Sequence, residues 1–198
     1  MQVAGERAIA HSALVEAARH YTAALELLTG QPESPDRDRR ELGLQLAVGP
    51  AFIAARGWAS PEVERAYSRA RELCAQLGDS SGIFQSLFGL WVNHLVRLEC
   101  QAANKVAEEL LQRALRANDK MQLLFAHQAL GDISCEMGKF LLAREHLEKA
   151  LSLCTQDRQQ ALGVDMQVVC LSYLATTLSH LGYADQALKR RRVVKRWS

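Results

Sequence analysis

Apolar and small residues recur along this chain at helical spacing, and one arrangement appears five times. Ala17, Tyr21 and Ala24 stand at i, i+4 and i+7. So do Ala66, Ala70 and Leu73; Ala103, Ala107 and Leu110; Ala143, Leu147 and Ala150; and Ala187, Arg191 and Val194. The leading alanines are 49, 37, 40 and 44 residues apart. A unit of this length that recurs predicts stacked helical hairpins, each burying its apolar face against its neighbours.

The breaks between helical stretches are marked by turn residues. A helix is predicted over 7–28, closed by Gly30 and the loop Gln31 to Asp36, where glycine followed by proline stops a helix. A second, over 38–55, ends at Arg56-Gly57, with Pro50 expected to kink it or break its ladder locally. Ser60 as cap, Pro61 at the first helical position and Glu62 and Glu64 in the first turn start the next helix, which runs to Leu77 and stops at Gly78. Ser80 or Ser81 then precedes a helix over 83–97. The remaining helices fall over 100–117, 120–137, 140–154, 165–181 and 184–195. Their turns lie at Asn118-Asp119, Gly138, a loop from Thr155 to Gly163, and Gly182. No strand is predicted, because short β-branched runs such as Val168-Val169 lie inside helical patterns. The expected architecture is all-α: one right-handed solenoid over 1–198, with hairpins at 7–28 (partial), 38–77, 83–117, 120–154 and 165–195.

Composition supports this. Of the 198 residues 48% are apolar and 23% charged, as in soluble globular chains. None of the four prolines lies beyond Pro61, which favours long helices. No apolar run approaches the roughly 20 residues that span a bilayer, and Met1 to Arg7 lacks the order of a secretory signal. The five cysteines form no close pair in sequence and occupy apolar helix positions, so a reducing cytoplasm is the expected compartment. Net charge is +2, but Lys189, Arg190, Arg191, Arg192, Lys195 and Arg196 supply six positive charges, and removing them leaves −4. The body is mildly acidic and the tail basic.

Candidate chemistry is sparse. The six histidines form no HExxH or His-x3-His pair, and no cysteines have zinc-knuckle spacing. No Gly-x-Ser-x-Gly elbow occurs, and neighbouring carboxylates such as Glu108 and Glu109 point to different helix faces. No enzyme activity, cofactor or metal is expected of this chain. The basic tail, interleaved with Val193, Val194 and Trp197, is more simply a solvated helix end than a nucleic-acid site. Apolar positions near Ala8, Leu14, Val193 and Trp197 at uncapped ends predict self-association.

Leu130-Gly131, Gly138, Phe140, Ala143, Leu147 and Ala150 resemble the tetratricopeptide-repeat signature. Gly131 and Ala143 are expected where two helices cross, with Phe140 and Leu147 on the hairpin's flank. Leu174-Ala175, Gly182 and Ala187 repeat the pattern. Leu90-Trp91 with Ala103 is a looser copy in which Leu98 stands in place of the turn glycine. More specifically, Gly49-Pro50, the string from Pro61 to Cys74, Gly89-Leu90-Trp91, Val168 to Ala175 and Leu181 to Leu188 resemble the C-terminal repeat region of bacterial multidomain signalling ATPases. In that family the repeats follow a P-loop ATPase module, often preceded by a cyclase or kinase domain. This chain has no Gly-x4-Gly-Lys-[Ser/Thr], so nucleotide binding does not carry over to it.

The resemblance implies a concave face lined by the first helix of each pair. That places Phe88, Val92 and Leu95, then Gln128, Asp132 and Glu136, then Ser172, Thr176 and His180 along a partner groove. Such a groove is apolar at one end and acidic or polar at the other, suited to a segment with basic residues. The expected function is a non-enzymatic protein-interaction and regulatory module of a signalling ATPase or nucleotide cyclase. The alternatives are a purely structural arm packed on an ATPase module, or part of a chain with adenylate/guanylate cyclase activity.

Overall fold

A computed structural model describes residues 2–79, 81–154, 160–161 and 164–195, with the side chains of 2–11, 81, 160, 161 and 164 left aside. The described residues are almost entirely helical: α1 (Gln2–Thr29), α2 (Pro35–Arg56), α3 (Pro61–Leu77), α4 (Ser81–Val96), α5 (Cys100–Ala117), α6 (Lys120–Glu136), α7 (Phe140–Leu153), α8 (Met166–His180) and α9 (Ala184–Lys195). The helices group into two compact units, Met1–Glu99 and Cys100–Ser198. No described helix is long and apolar enough to cross a membrane.

Local chemistry explains most helix boundaries. Ser60 accepts a hydrogen bond from the Val63 amide at 3.4 Å, and Pro61 opens α3. Asp119 caps α6 by accepting from the amides of Met121 and Gln122. Gly57, Gly78, Gly138 and Gly182 take positive φ at the turns, where a side chain would clash with backbone. Asn118, at φ 49°, and Leu98, at φ 58°, do the same without being glycine. Leu98 thus holds the left-handed conformation that the turn demands although its Cβ opposes it.

Two expectations are corrected. Helix α2 begins at Pro35, not 38, because Ser34 accepts from the Arg37 amide and Pro35 suits the first turn, so the loop is shorter. Pro50 lies inside α2, as expected, and the helix runs on to Arg56. The connection from α7 to α8 contains a two-residue antiparallel ladder, β1 (Gln160–Ala161) with β2 (Val164–Asp165), where no strand was expected. Asp165 then caps α8 by accepting from the Gln167 amide. Ser80, most of the 155–163 loop, Arg196 and Trp197 lie outside the described residues, as does the side chain of Ala8.

In unit 1, α2 packs on α1 and α3, α3 on α4, and α2 also reaches α4. The centre of this packing is Tyr67 of α3, 2% exposed. Its ring lies so close to Gly49 of α2 and Gly89 of α4 that a Cβ would come within 2.5 Å of the ring at Gly49 and 2.3 Å at Gly89. Two glycines thus form a socket for one phenol, and burial pushes its pKa up to about 12. Asn93 of α4 is fully buried and donates to the carbonyls of Trp58 at 2.6 Å and Ser60 at 3.2 Å, tying α4 to the α2–α3 turn.

Unit 2 repeats the device with an aliphatic residue. Helix α6 packs on α5, α7 and α8, and α8 on α7 and α9. A Cβ on Gly131 of α6 would meet Leu147 of α7 at 2.5 Å. Leu147 joins Ala150, Cys170, Leu174, Leu178 and Ala187 in one core. The recurring i, i+4, i+7 triads of α3, α5 and α7 are buried throughout, whereas Ala17, Tyr21 and Ala24 of α1 are half-buried and Arg191 of α9 is exposed.

Two consequences can be measured by thermal or urea denaturation. Gly89→Ala, although it raises helix propensity, should destabilise by about 1–3 kcal/mol through overpacking against Tyr67. Gly43→Ala, in the same unit with nothing within 4 Å of its Cβ, should stabilise by up to about 1 kcal/mol. Leu98 is 71% exposed, so Leu98→Gly gives up little burial and should stabilise by about 0.5–1 kcal/mol.

Candidate functional site

The nine residues expected to line a groove fall into three groups. Phe88, Val92 and Leu95 occupy one face of α4, half-buried. Glu136 at the end of α6 is exposed, as are Ser172, Thr176 and His180 along α8. The hydroxyls of Ser172 and Thr176 donate back to the carbonyls of Val168 and Ser172 in their own helix, at 2.8 and 3.2 Å. His180 stacks on Phe140 of α7, ring centroids 4.4 Å apart and 7° from parallel.

Gln128 and Asp132 are a correction. They are 2% and 1% exposed, part of the interior of unit 2 rather than an open face. Spacing from the Leu-Gly pair located them on the right helix, but helix α8 covers that face. Gln128 Nε2 donates to Asp132 Oδ2, while Gln128 Oε1 and Asp132 Oδ1 find no hydrogen-bond partner in the protein. Burial pushes the Asp132 carboxyl well above its ordinary range; the Gln128 bond opposes this and the charge of Glu136 adds to it. The expected acidic end of the groove is therefore reduced to Glu136 among the three α6 residues.

Beside this cluster, His127 of α6 and His146 of α7 bring their Nδ1 atoms to 2.9 Å, so one ring donates and the other accepts. Burial, then the charges of His146 and Lys149, push His127 down to about 4, with Glu145 opposing. Burial lowers His146 as well, against Glu145 and with Lys149. Among the described residues, no three His, Cys, Asp or Glu are grouped so as to hold a metal ion. None of Cys74, Cys100, Cys135, Cys154 and Cys170 is in a disulfide.

An open concavity lies elsewhere, in unit 1, where sequence reasoning placed no site. Helices α1 and α3 flank α2, and between them lies a cavity of about 410 Å³ lined by Thr22, Gln45, Phe52, Arg56, Glu62, Arg65, Ala66 and Arg69. A second, of about 440 Å³, runs along α1 past Val15, Ala18, Arg19, Ala23, Glu26 and Ala55. The two share Thr22, Phe52 and Arg56 and form one trough. Its floor is apolar and its rim charged. Arg56 lies over the Phe52 ring, 5.6 Å from the centroid. Arg56 and Arg65 both reach the same oxygen, Glu62 Oε1. Arg69 is clamped by Glu41 in a two-pronged pair, 2.6 Å from Nε and 3.0 Å from Nη2, with Glu72 beside it. The Arg69 bond holds the Glu41 carboxyl below its ordinary range against the cost of its burial. A signal for this surface was present: Glu62, Arg65, Ala66 and Arg69 share one face of α3 at i, i+3, i+4 and i+7, and Phe52 and Arg56 share one face of α2.

No family model matches the chain, and no solved structure matches it. It is similar to an uncharacterized protein of Rhizobium meliloti (strain 1021), 25% identical over 197 aligned positions that cover 94% of this chain. The chain spans about a fifth of that relative's length, 19%.

The two titrating clusters of unit 2 bias stability in opposite directions. His127 has a folded pKa below its ordinary value of about 6.5, so its contribution is present above that pH and is lost as pH falls toward 4. After discounting for its half-exposed position, that loss is about 1–2 kcal/mol, and His127→Gln should abolish it in urea titrations between pH 7 and 4. Asp132 has a raised folded pKa, so its neutral form favours folding at low pH and the benefit is lost as pH rises through that pKa. Asp132→Asn should accordingly raise stability by about 1–3 kcal/mol at neutral pH and have little effect below the ordinary carboxylate range.

Proposed function

We propose that the chain is a non-enzymatic protein-interaction module, built in each unit from tetratricopeptide-like hairpins of right-handed solenoid type and working as a regulatory region of a larger signalling ATPase or cyclase-linked protein. The observation that carries the interaction reading is the trough of unit 1, an open surface with an apolar floor and a rim of arginines and glutamates. Apolar contact supplies affinity at such a surface, while the rim selects partners and sets register. The hairpin reading draws on two further features. Small residues sit where helices cross, as at Gly131 against Leu147. Next-but-one helices also touch within each unit, α2 with α4 and α6 with α8. The site residues of the tetratricopeptide comparison that remain open to a partner are Phe88, Val92 and Leu95 on α4 and Glu136, Ser172, Thr176 and His180 on α6 and α8.

A second reading is a structural arm that packs on an ATPase module of the same polypeptide; like the first, it is compatible with a chain that spans a fifth of the relative's length. The cytoplasm is the compartment proposed for either.

Affinity capture from bacterial lysate separates the two, using wild type beside Arg56→Glu/Arg65→Glu and Glu136→Lys. All three changes fall on exposed or half-exposed side chains, so folding should survive. A partner retained by wild type and lost by at least one variant is the expected result. Identical captures by all three, or none, would favour the structural arm.

A further inference from the structure

The trough between α1 and α3 has a shape and a charge distribution that select its occupant. Along α1 it runs from Val15 to Glu26, about 16 Å at the helical rise. That length fits three turns of a helix or a short extended stretch better than a compact small molecule. Val15, Ala18, Ala23, Phe52, Ala55 and Ala66 give the lining its apolar character, which excludes a phosphate backbone as the main contact and requires apolar side chains on the occupant.

Charge then decides which polar residues accompany them. The rim carries Arg19, Arg56, Arg65 and Arg69 against Glu26 and Glu62. Arg69 is neutralised by Glu41 and Glu72, and Arg19 pairs with Glu16 at 3.2 Å. Arg56 and Arg65 are different: both depend on one carboxylate, with their side chains 54% and 74% exposed. Among the described residues, Glu62 is the carboxylate within ion-pair reach of either, so the two cations share it. An Asp or Glu brought in by a ligand would complete the pair, with the fork of Arg56 or Arg65 presenting two parallel donors.

We propose that the α1–α3 trough binds an amphipathic segment of a partner protein, its apolar face seated on Phe52 and the α1 alanines and an acidic residue paired with Arg56 and Arg65. The proposal rests on the interaction reading and gives it a partner chemistry opposite in sign to the basic segment expected from the sequence.

The test uses the full ¹⁵N-labelled chain and three synthetic 15-residue peptides. One carries Leu at i, i+3 and i+7 flanked by two Glu; the second has Lys in place of Glu; the third has Ala in place of Leu. The Glu peptide should shift the amide resonances of Thr22, Phe52, Arg56 and Ala66, binding at least tenfold more tightly than the Lys peptide. The Ala peptide should not bind. In Arg56→Glu/Arg65→Glu the preference should reverse in favour of Lys. Equal binding of the two charged peptides, or a Glu preference that survives the double change, overturns the proposal. Shifts confined to α4, α6 or α8 overturn the trough as the site and leave the interaction reading standing. Absence of any shift at millimolar peptide overturns the trough, while the capture experiment still decides the wider reading. Concentration-dependent shifts of the same resonances without peptide would identify a second copy as the occupant and also overturn it.

Discussion

Unit 1 is organised around one side chain pressed against two backbones. Tyr67 occupies space that only glycine leaves free at Gly49 and Gly89, so the spacing of α2, α3 and α4 is set by the thickness of an aromatic ring. Larger residues at either glycine force the ring or the helices to move, and a smaller residue at Tyr67 leaves a cavity. The buried Asn93, bonded to the carbonyls of Trp58 and Ser60, holds the same helices in angular register. Gly49, Tyr67 and Gly89 are distant in sequence, and their meeting in space gives each residue a physical reason to be where it is. The trough depends on the same arrangement, because α2 supplies its floor and α3 one wall.

The helical architecture was legible because its signals are local. Ser60-Pro61, Asp119, and the glycines at 57, 78, 138 and 182 act within a turn of where they stand, and each ends or begins a helix where expected. The triad Ala143, Leu147, Ala150 was readable for a related reason, since period 3.6 needs no knowledge of the partner helix. Ser34-Pro35 carried a start signal of the same kind, and the earlier Gly30-Gln31-Pro32 break obscured it.

The site was less legible because exposure is a property of neighbours. Asp132 stands on α6 at a position where charge ordinarily means solvent, yet it is buried; nothing in 128–136 announces that. Conversely, the arginines at 56, 65 and 69 read as ordinary solvated helix charges until α1 is placed opposite them across α2. A groove with an acidic or polar end was inferred from spacing along the helices; burial removed Asp132 from it, and the open surface of unit 1 carries arginines and glutamates together.

The turns have a further consequence for how the chain acquires its structure. Those at Gly57, Gly78, Leu98, Asn118, Gly138 and Gly182 close within a few residues around a single positive-φ position, and helices that touch are mostly neighbours in sequence. Contacts of this kind cost little loop-closure entropy, and chains rich in them fold quickly. Hairpins could then form in the order in which they leave the ribosome, α2 meeting α3 before α4 is complete. Tyr67 would meet Gly49 first and wait for Gly89, making arrival of α4 the step that locks unit 1.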